Sequence, residues 1–583
     1  MPVVELVVDR NLLCPNFDGY KLSFDAVPVL RQAIEQPLRR QPHSNQYSLL
    51  HVELFARHNL LFSDPWARHN CYFINKAHQV VLCSYDEPRG QPQEQRIIYS
   101  LERDDQGDAH QQIPGDYNYT LRFISEKYCV LCDGMLTCYL LDTGDRVRGA
   151  SWQQVTRSAI SADESLRGYV LYDARLDIVQ ERKQISLVAG HVLRRDAATE
   201  NEIDTHVMQL NWSHWTQDDT AWTYNSCVQL EVKGSVYYCA FEPRAESLVV
   251  CSNGELQTRQ QREAAQAEHS AAAATAALSR TRLHNGLGQV GVDDYNWTQT
   301  AEDVVVRFPL KDGASRNDFN ILCTQNQLVV ECLTQTLLNG ALFAGVDNEL
   351  TTWTVESEQL QLTLVKRQAQ HWPRLLDAEH EAPAEGSATD SDQNVVEQLP
   401  IPNLEDPVEE CDFPLGSMND DIKMVRFSLS DLNITHSIYL GATPPLFATS
   451  LRAGYPAAFA TRQGVDAAVW LQLHQPSREW NVRHEGTLHA FGYVQASKTQ
   501  RKFVDCCPDL DYAVICETHR HVFIYKPRYD SAGGLRNRNG PQVVIGKQSL
   551  VTLDENVGEV LGLVTASNVI TVLTAHAVLY LQV

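Results

Sequence analysis

Asp303-Val-Val-Val-Arg-Phe-Pro309, Phe319-Asn-Ile-Leu-Cys323 and Gln327-Leu-Val-Val-Glu-Cys332 follow one another with turn residues between them. Each run is short, β-branched or aromatic, and stopped by a breaker, as at Pro309 and Lys311-Asp-Gly313. Ala341-Leu-Phe343, Thr351-Thr-Trp-Thr-Val355 and Leu360 to Val365 continue the series, and Gly313, Gly340 and Gly345 mark bends. In Gln361-Leu-Thr-Leu-Val-Lys366, alternation puts Leu362 and Leu364 on one face and leaves Lys366 at a strand end. Roughly seven short strands of this kind make a β-sandwich. Residues 292–374 therefore read as a compact all-β island.

Outside the island the same pattern recurs. Cys71 to Asn75, His78 to Ser84, Lys127 to Cys132, Met135 to Leu141, Ser235 to Phe241 and Ser247 to Cys251 read as strands before it. Asp466 to Leu473, Thr487 to Val494, Lys502 to Cys506, Tyr512 to Cys516 and Arg520 to Tyr525 read as strands after it. Asp133-Gly134 and Asn253-Gly254 supply hairpin turns, since both central residues tolerate positive φ. Strands at this cadence over 583 residues exceed one sandwich and point to an all-β, propeller-like scaffold. About seven blades follow from roughly forty residues per blade. Residues 1–255 form its N-terminal part and 423–583 its C-terminal part, with Val3 to Val8 expected to close the ring against Val578 to Val583.

Two stretches break the pattern. Residues 256–291 are rich in Ala and Gln and read as a helical or flexible arm. Residues 375–422 hold Asp377, Glu379, Glu381, Glu385, Asp390, Asp392, Glu405, Asp406, Glu409 and Glu410 without a Lys or Arg, and read as an acidic linker. Thr389-Asp-Ser-Asp392 within it has the acidic context of a phosphorylation site.

Composition narrows the function. A formal net charge of −24 repels phosphate backbones and argues against general nucleic-acid binding. The 15 cysteines are scattered, mostly inside apolar runs, which suits free buried thiols in a reducing compartment. No secretory leader is read at the N-terminus. Val560 to Val583 lacks charge, but Asn568, Thr571, Thr574, His576 and Gln582 interrupt it, so strand, turn and strand are expected rather than a membrane anchor.

Motifs with chemical potential mostly dissolve on inspection. Gly286-Leu-Gly288-Gln-Val-Gly291 spells a dinucleotide fingerprint but lies between an Ala-rich arm and strands, not between a strand and a helix. Cys129 and Cys132 have the spacing of half a zinc site, yet on a strand they face opposite ways. His519 and His521 are expected on one strand face with no third ligand nearby. No catalytic, cofactor or metal residue is assigned, and no enzymatic activity is expected. Trp297 and Trp353 read as core residues. Lys366, Arg367 and Arg374, with Trp372, form a small basic and aromatic cluster, either a solvated strand end or a docking site for an acidic partner surface.

The island's residues resemble the CS domain of the NudC family. The resemblance runs through Tyr295-Asn-Trp297-Thr-Gln299-Thr300, Asp303-Val-Val305, Leu338-Asn-Gly340-Ala-Leu342-Phe343, Thr352-Trp-Thr-Val-Glu356, Leu362-Thr-Leu-Val-Lys366 and Trp372-Pro373. Phe343, Thr351 and His371 depart from the family pattern. The resemblance implies an alpha-crystallin-like sandwich and a non-enzymatic co-chaperone or adaptor of cytoplasm and nucleus, linked to heat-shock protein 90 and to client proteins. It makes a nuclear RNA helicase a candidate client, with no direct nucleic-acid or membrane partner. A propeller scaffold in a nuclear or RNA-processing complex, and a propeller hydrolase, remain as rival readings.

Overall fold

The protein is described from a computed structural model. It describes residues 2–40, 48–101, 117–161, 168–195, 205–219, 221–262, 295–300, 302–309, 319–332, 335–356, 359–368, 370–372, 374–376, 422–473, 479–527 and 543–583. The fingerprint at 286–291, most of the Ala-rich arm and nearly all of the acidic linker lie outside these residues. The chain divides into two units, residues 1–268 with 409–583, and residues 269–408.

Among the described residues the first unit holds seven sheets of four or five strands, the blades of a propeller. Blades 1 to 3 span Phe62–Ser100, Thr120–Ala159 and Tyr169–Val232. Blade 4 pairs Val236–Phe241 and Ser247–Ser252 with Ile422–Ser428 and Asn433–Gly441. Blade 5 spans Phe447–Leu488. Blades 6 and 7 are built from Arg501–Thr552 and Val560–Gln582.

Alternation along each strand explains why these sheets stack. In Tyr128–Cys132, Cys129 and Leu131 pack toward blade 1 while Val130 and Cys132 pack toward blade 3. Seven apolar clusters follow, each shared by two successive blades. Tyr72 and Leu131 lie between blades 1 and 2, Leu140 and Leu187 between 2 and 3, and Trp212 and Phe241 between 3 and 4. Met424 and Trp470 lie between blades 4 and 5, Leu471 and Ile515 between 5 and 6, and Ile524 and Ile570 between 6 and 7. Tyr580 and Phe73 then join blade 7 back to blade 1, so the circuit is closed.

The closing strand differs from the expectation. Val29–Ala33, not Val3 to Val8, pairs antiparallel with Ala577–Gln582 and completes blade 7. Phe17–Leu22 adds a parallel fifth strand to blade 6 along Val544–Thr552. Val3 makes one bridge to Ser437 in blade 4. Three further expectations shift. Thr487 to Val494 is not one strand: Val482–Leu488 ends at Ala490, whose φ is +52°, and Phe491–Ala496 is a helix. Gly492 there lies so close to the Asp466 carbonyl that an added Cβ would sit 2.6 Å from it. His519 falls in the bend before His521–Lys526, so it does not share a strand face with His521. Leu256–Thr258 is a fifth strand of blade 3, not the start of an arm. The uncharged tail forms three strands of blade 7, and among the described residues no helix is long and apolar enough to cross a membrane.

Blades 1 and 2 are also joined by a buried ion pair. Arg146 donates from Nε to Asp64 at 2.6 Å, from Nη1 to Thr143 at 2.8 Å and from Nη2 to the Ser125 carbonyl at 2.9 Å. Both side chains are almost fully sheltered from water. Removing one partner strands a desolvated charge, so Asp64→Ala should lower stability by about 3–5 kcal/mol. Asp64→Leu with Arg146→Met should recover much of that loss in denaturant unfolding.

One helix, Leu49–Arg57, is capped by Ser48 and touches Thr205–Asp218 of blade 3 and Arg501–Cys506 of blade 6, on opposite sides of the ring. Burial, then His206 and His191 nearby, hold the His51 imidazole down to about 4. Burial likewise holds His58 to about 4, against the Tyr119 carbonyl 2.9 Å from its Nε2. Both rings are neutral when folded, and the unfolded chain takes up their protons as pH falls through 6.5. The contribution of these two rings to stability should therefore decline from pH 6.5 toward about 4. His58→Gln, which keeps a donor toward the carbonyl, should flatten that decline in a melting-temperature series.

Candidate interaction site on the sandwich

The second unit is a two-sheet sandwich with seven described strands. One sheet orders Asn296–Gln299, Asp303–Pro309, Gln359–Lys366 and Val346–Glu356; the other orders Phe319–Cys323, Gln327–Cys332 and Gln335–Ala341. The strand expected at Ala341 to Phe343 lies earlier, at Gln335–Ala341, and Trp297 lies in the strand Asn296–Gln299. Val304, Val306, Phe308, Leu328, Val330, Leu360, Leu362 and Leu364 form the core.

Cross-strand register decides what each face does. Trp297 pairs with Val306, Val306 with Leu362, and Leu362 with Trp353. The two tryptophans thus end one inward row and close both edges of the core, half-buried. The opposite face carries Thr298, Val305, Thr363 and Thr352 in one row and Asn296, Arg307, Gln361 and Thr354 in the next. Arg307 lies along it, donating to Gln361 at 3.0 Å and Thr298 at 3.2 Å.

Gln299 organises the corner that the sequence singled out. By alternation it sits on the inward row with Trp297, an unusual place for an amide. Its Oε1 accepts from the Trp372 backbone N–H at 2.8 Å, and its Nε2 donates to the Trp372 carbonyl at 2.6 Å. The same oxygen accepts from Lys366 Nζ at 2.7 Å. Lys366 donates its other two protons to the carbonyls of Thr300 and Gln370, at 2.8 and 2.7 Å. All three ammonium donors are thereby used on neutral oxygens. Burial lowers the Lys366 pKa, with Asp303 acting against it.

Lys366 is therefore neither a solvated strand end nor an accessible docking cation; its residue is 7% exposed. Trp372, at 1%, is a core residue rather than a docking aromatic. Burial follows from the Gln299 clamp, which pulls the chain after the last strand back over the sandwich. Gly340 permits the return, since a Cβ there would meet Leu376 at 2.8 Å. Arg367 and Arg374 are exposed. They flank the Phe343–Gly345 bend: Arg367 donates its N–H to the Gly345 carbonyl at 3.0 Å, and the Arg374 guanidinium lies 5.8 Å from the Phe343 ring centre. Phe343 in turn sits 6.1 Å from the buried Trp372 ring. Two exposed cations around a half-buried aromatic are what this corner of the sandwich presents at its surface.

Residues 293–366 match the CS domain family model. The chain thus carries a CS domain, and over nearly its whole length it is similar to proteins named for a NudC domain. It is 26% identical to NudC domain-containing protein 1 of Xenopus laevis over 612 residues, covering 99% of this chain and 98% of that protein. The Mus musculus protein of the same name is 24% identical over 611 residues, with the same coverage. Among solved structures, Chaetomium thermophilum Sqt1 bound to the N-terminus of the ribosomal protein L10 is similar over 90% of this chain and 97% of that one, at 10% identity and a TM-score of 0.31. The propeller assignment here rests on the closed circuit of blade cores.

The other chemical candidates stay apart. Cys129 and Cys132 face different blade cores. His521 bonds Glu517 at 2.8 Å. Among the described residues no three His, Cys, Asp or Glu side chains group as metal ligands, and the described cysteines are free thiols. Replacing Gln299 with Ala would leave Lys366 a buried ammonium short of one acceptor. A loss of about 1–3 kcal/mol is expected, read as faster hydrogen exchange in peptides covering 366–376 while blade peptides are unchanged.

Proposed function

We propose that the protein is a non-enzymatic co-chaperone that bridges heat-shock protein 90 and client proteins, in cytoplasm and nucleus. The observation that carries this reading is the CS sandwich hosted between two strands of one propeller blade. Ser252 and Lys423, which flank the insertion, are paired neighbours in blade 4. The ring is complete without the sandwich, so one chain carries two separate rigid binding platforms. Such tethering raises effective concentration without any chemistry.

On the sandwich, Arg367 and Arg374 are the residues we assign to an acidic chaperone surface. Lys366 and Trp372 act behind them, holding the corner in shape through Gln299. The ring serves clients, a nuclear RNA helicase among the candidates, through protein contacts rather than nucleic acid.

Purified full-length protein titrated with heat-shock protein 90 tests the assignment. Arg367→Glu with Arg374→Glu should weaken binding by about tenfold at low salt and by less at high salt, where the exposed charges are screened, with circular dichroism unchanged. Deleting residues 292–374 should abolish it. Chaperone binding that survives the deletion would instead favour a propeller scaffold of a nuclear or RNA-processing complex.

A further inference from the structure

A cavity of about 1270 Å³ is lined from blades 4, 5, 6 and 7, by the helix Leu49–Arg57 and by residues just ahead of blades 1 and 2, which places it at the ring axis. Its charge is opposite to that of the chain. Arg40, Arg57, Arg462, Arg501 and Lys502 line it, against a single carboxylate, Glu559. Glu559 is held between Arg40 and Lys502, 2.7 Å from each. The other cations are anchored mainly on neutral oxygens. Arg57 donates to the Val236 carbonyl at 2.9 Å, with Glu53 farther off at 3.8 Å. Arg462 donates to the Gly464 carbonyl at 3.1 Å, and Arg501 to those of Gln495 and Lys498, both at 3.0 Å. Carbonyl oxygens fix a guanidinium without cancelling its charge, so the mouth stays cationic in a protein of net charge −24.

A second cavity, of about 1250 Å³, adjoins the first and shares Thr443, Arg462, Ala496 and Thr499 with it. It is lined by Val3, Tyr439, Val465 and Tyr493, which are 57%, 51%, 60% and 62% exposed. Large apolar side chains gathered in one groove, rather than scattered singly, mark a surface that another molecule covers. The two cavities thus form one groove, cationic at the ring axis and, beyond Arg462, lined by these large apolar side chains among polar ones and the carboxylate of Glu5. Each exceeds the usual volume of a small-molecule pocket, about 300–1,000 Å³.

The geometry points to this groove as a binding site for a short acidic peptide segment of a partner protein, with carboxylates at the ring axis and aromatic or aliphatic anchors against Tyr439 and Tyr493. Electrostatic complementarity sets register and on-rate, and the apolar half supplies the anchors that a polyanion lacks. A long polyphosphate is disfavoured because the whole chain repels it. The site lies wholly within the propeller unit and is distinct from the sandwich corner, so it stands or falls without heat-shock protein 90.

A fluorescein-labelled dodecapeptide with a run of Asp and Glu followed by Leu and Phe, titrated into the full chain and followed by anisotropy, tests it. Saturable binding is expected, weakened by about tenfold in Arg462→Glu with Arg501→Glu and severalfold in Tyr493→Ser with Val465→Ser. All four positions are exposed, and unchanged melting temperatures would exclude misfolding as the cause. Affinity unmoved by either pair, no saturation with the peptide in large excess, or tighter binding of an oligouridylate than of the peptide would each overturn the assignment.

Discussion

The hydrogen-bonded seam between Val29–Ala33 and Ala577–Gln582 is the constraint on which the ring depends. A row of blades is an open array whose terminal sheets expose apolar faces and unpaired edges. Here the last blade takes its fourth strand from the N-terminus, so the two exposed faces become one more interior contact. Tyr580 against Phe73 is then as dry as any other blade junction. Phe17–Leu22 repeats the tie on blade 6 and makes the N-terminal segment span two blades. The axis cavity, its cations and the crossing helix exist only because this seam closes the circle.

Closure also explains how a second domain is tolerated. The chain leaves blade 4 after Ser252, adds Leu256–Thr258 to blade 3, and returns at Ile422 in register with the strand it left. The insertion therefore occupies a hairpin connection and interrupts no blade contact. Loop length at such a connection is entropically cheap, growing only logarithmically. A sandwich with its own core can be hosted there, each unit being stabilised by its own apolar clusters.

The candidate site was legible unevenly. Its basic and aromatic residues stood out because Lys366, Arg367 and Arg374 are rare cations near an acidic stretch. Which of them faced water was not legible, because that depends on the path of the chain after the last strand. Gln299 settles it: one amide binds both backbone groups of Trp372 and one proton of Lys366. The available signal was an amide on an inward strand position, two residues from Trp297. The axis cavity had no local signal at all, since Arg40, Arg57, Arg462 and Lys502 come from distant parts of the chain.

By itself the sequence determined the all-β class, a ring of about seven blades, the sandwich between its halves and the mostly buried, unlinked character of the described cysteines. Those follow from alternation, turn residues and strand spacing, which are local properties. The resemblance of the island's residues to a CS domain added the family. Only the tertiary structure decided which N-terminal strand closes the ring, that Phe491–Ala496 turns helical, and that Lys366 points inward while Arg367 and Arg374 point out. Each depends on a partner far away in sequence, Ala577–Gln582, Asp466 in the preceding hairpin, or Gln299, and pairwise contacts at such separation leave no periodic trace in the chain that makes them.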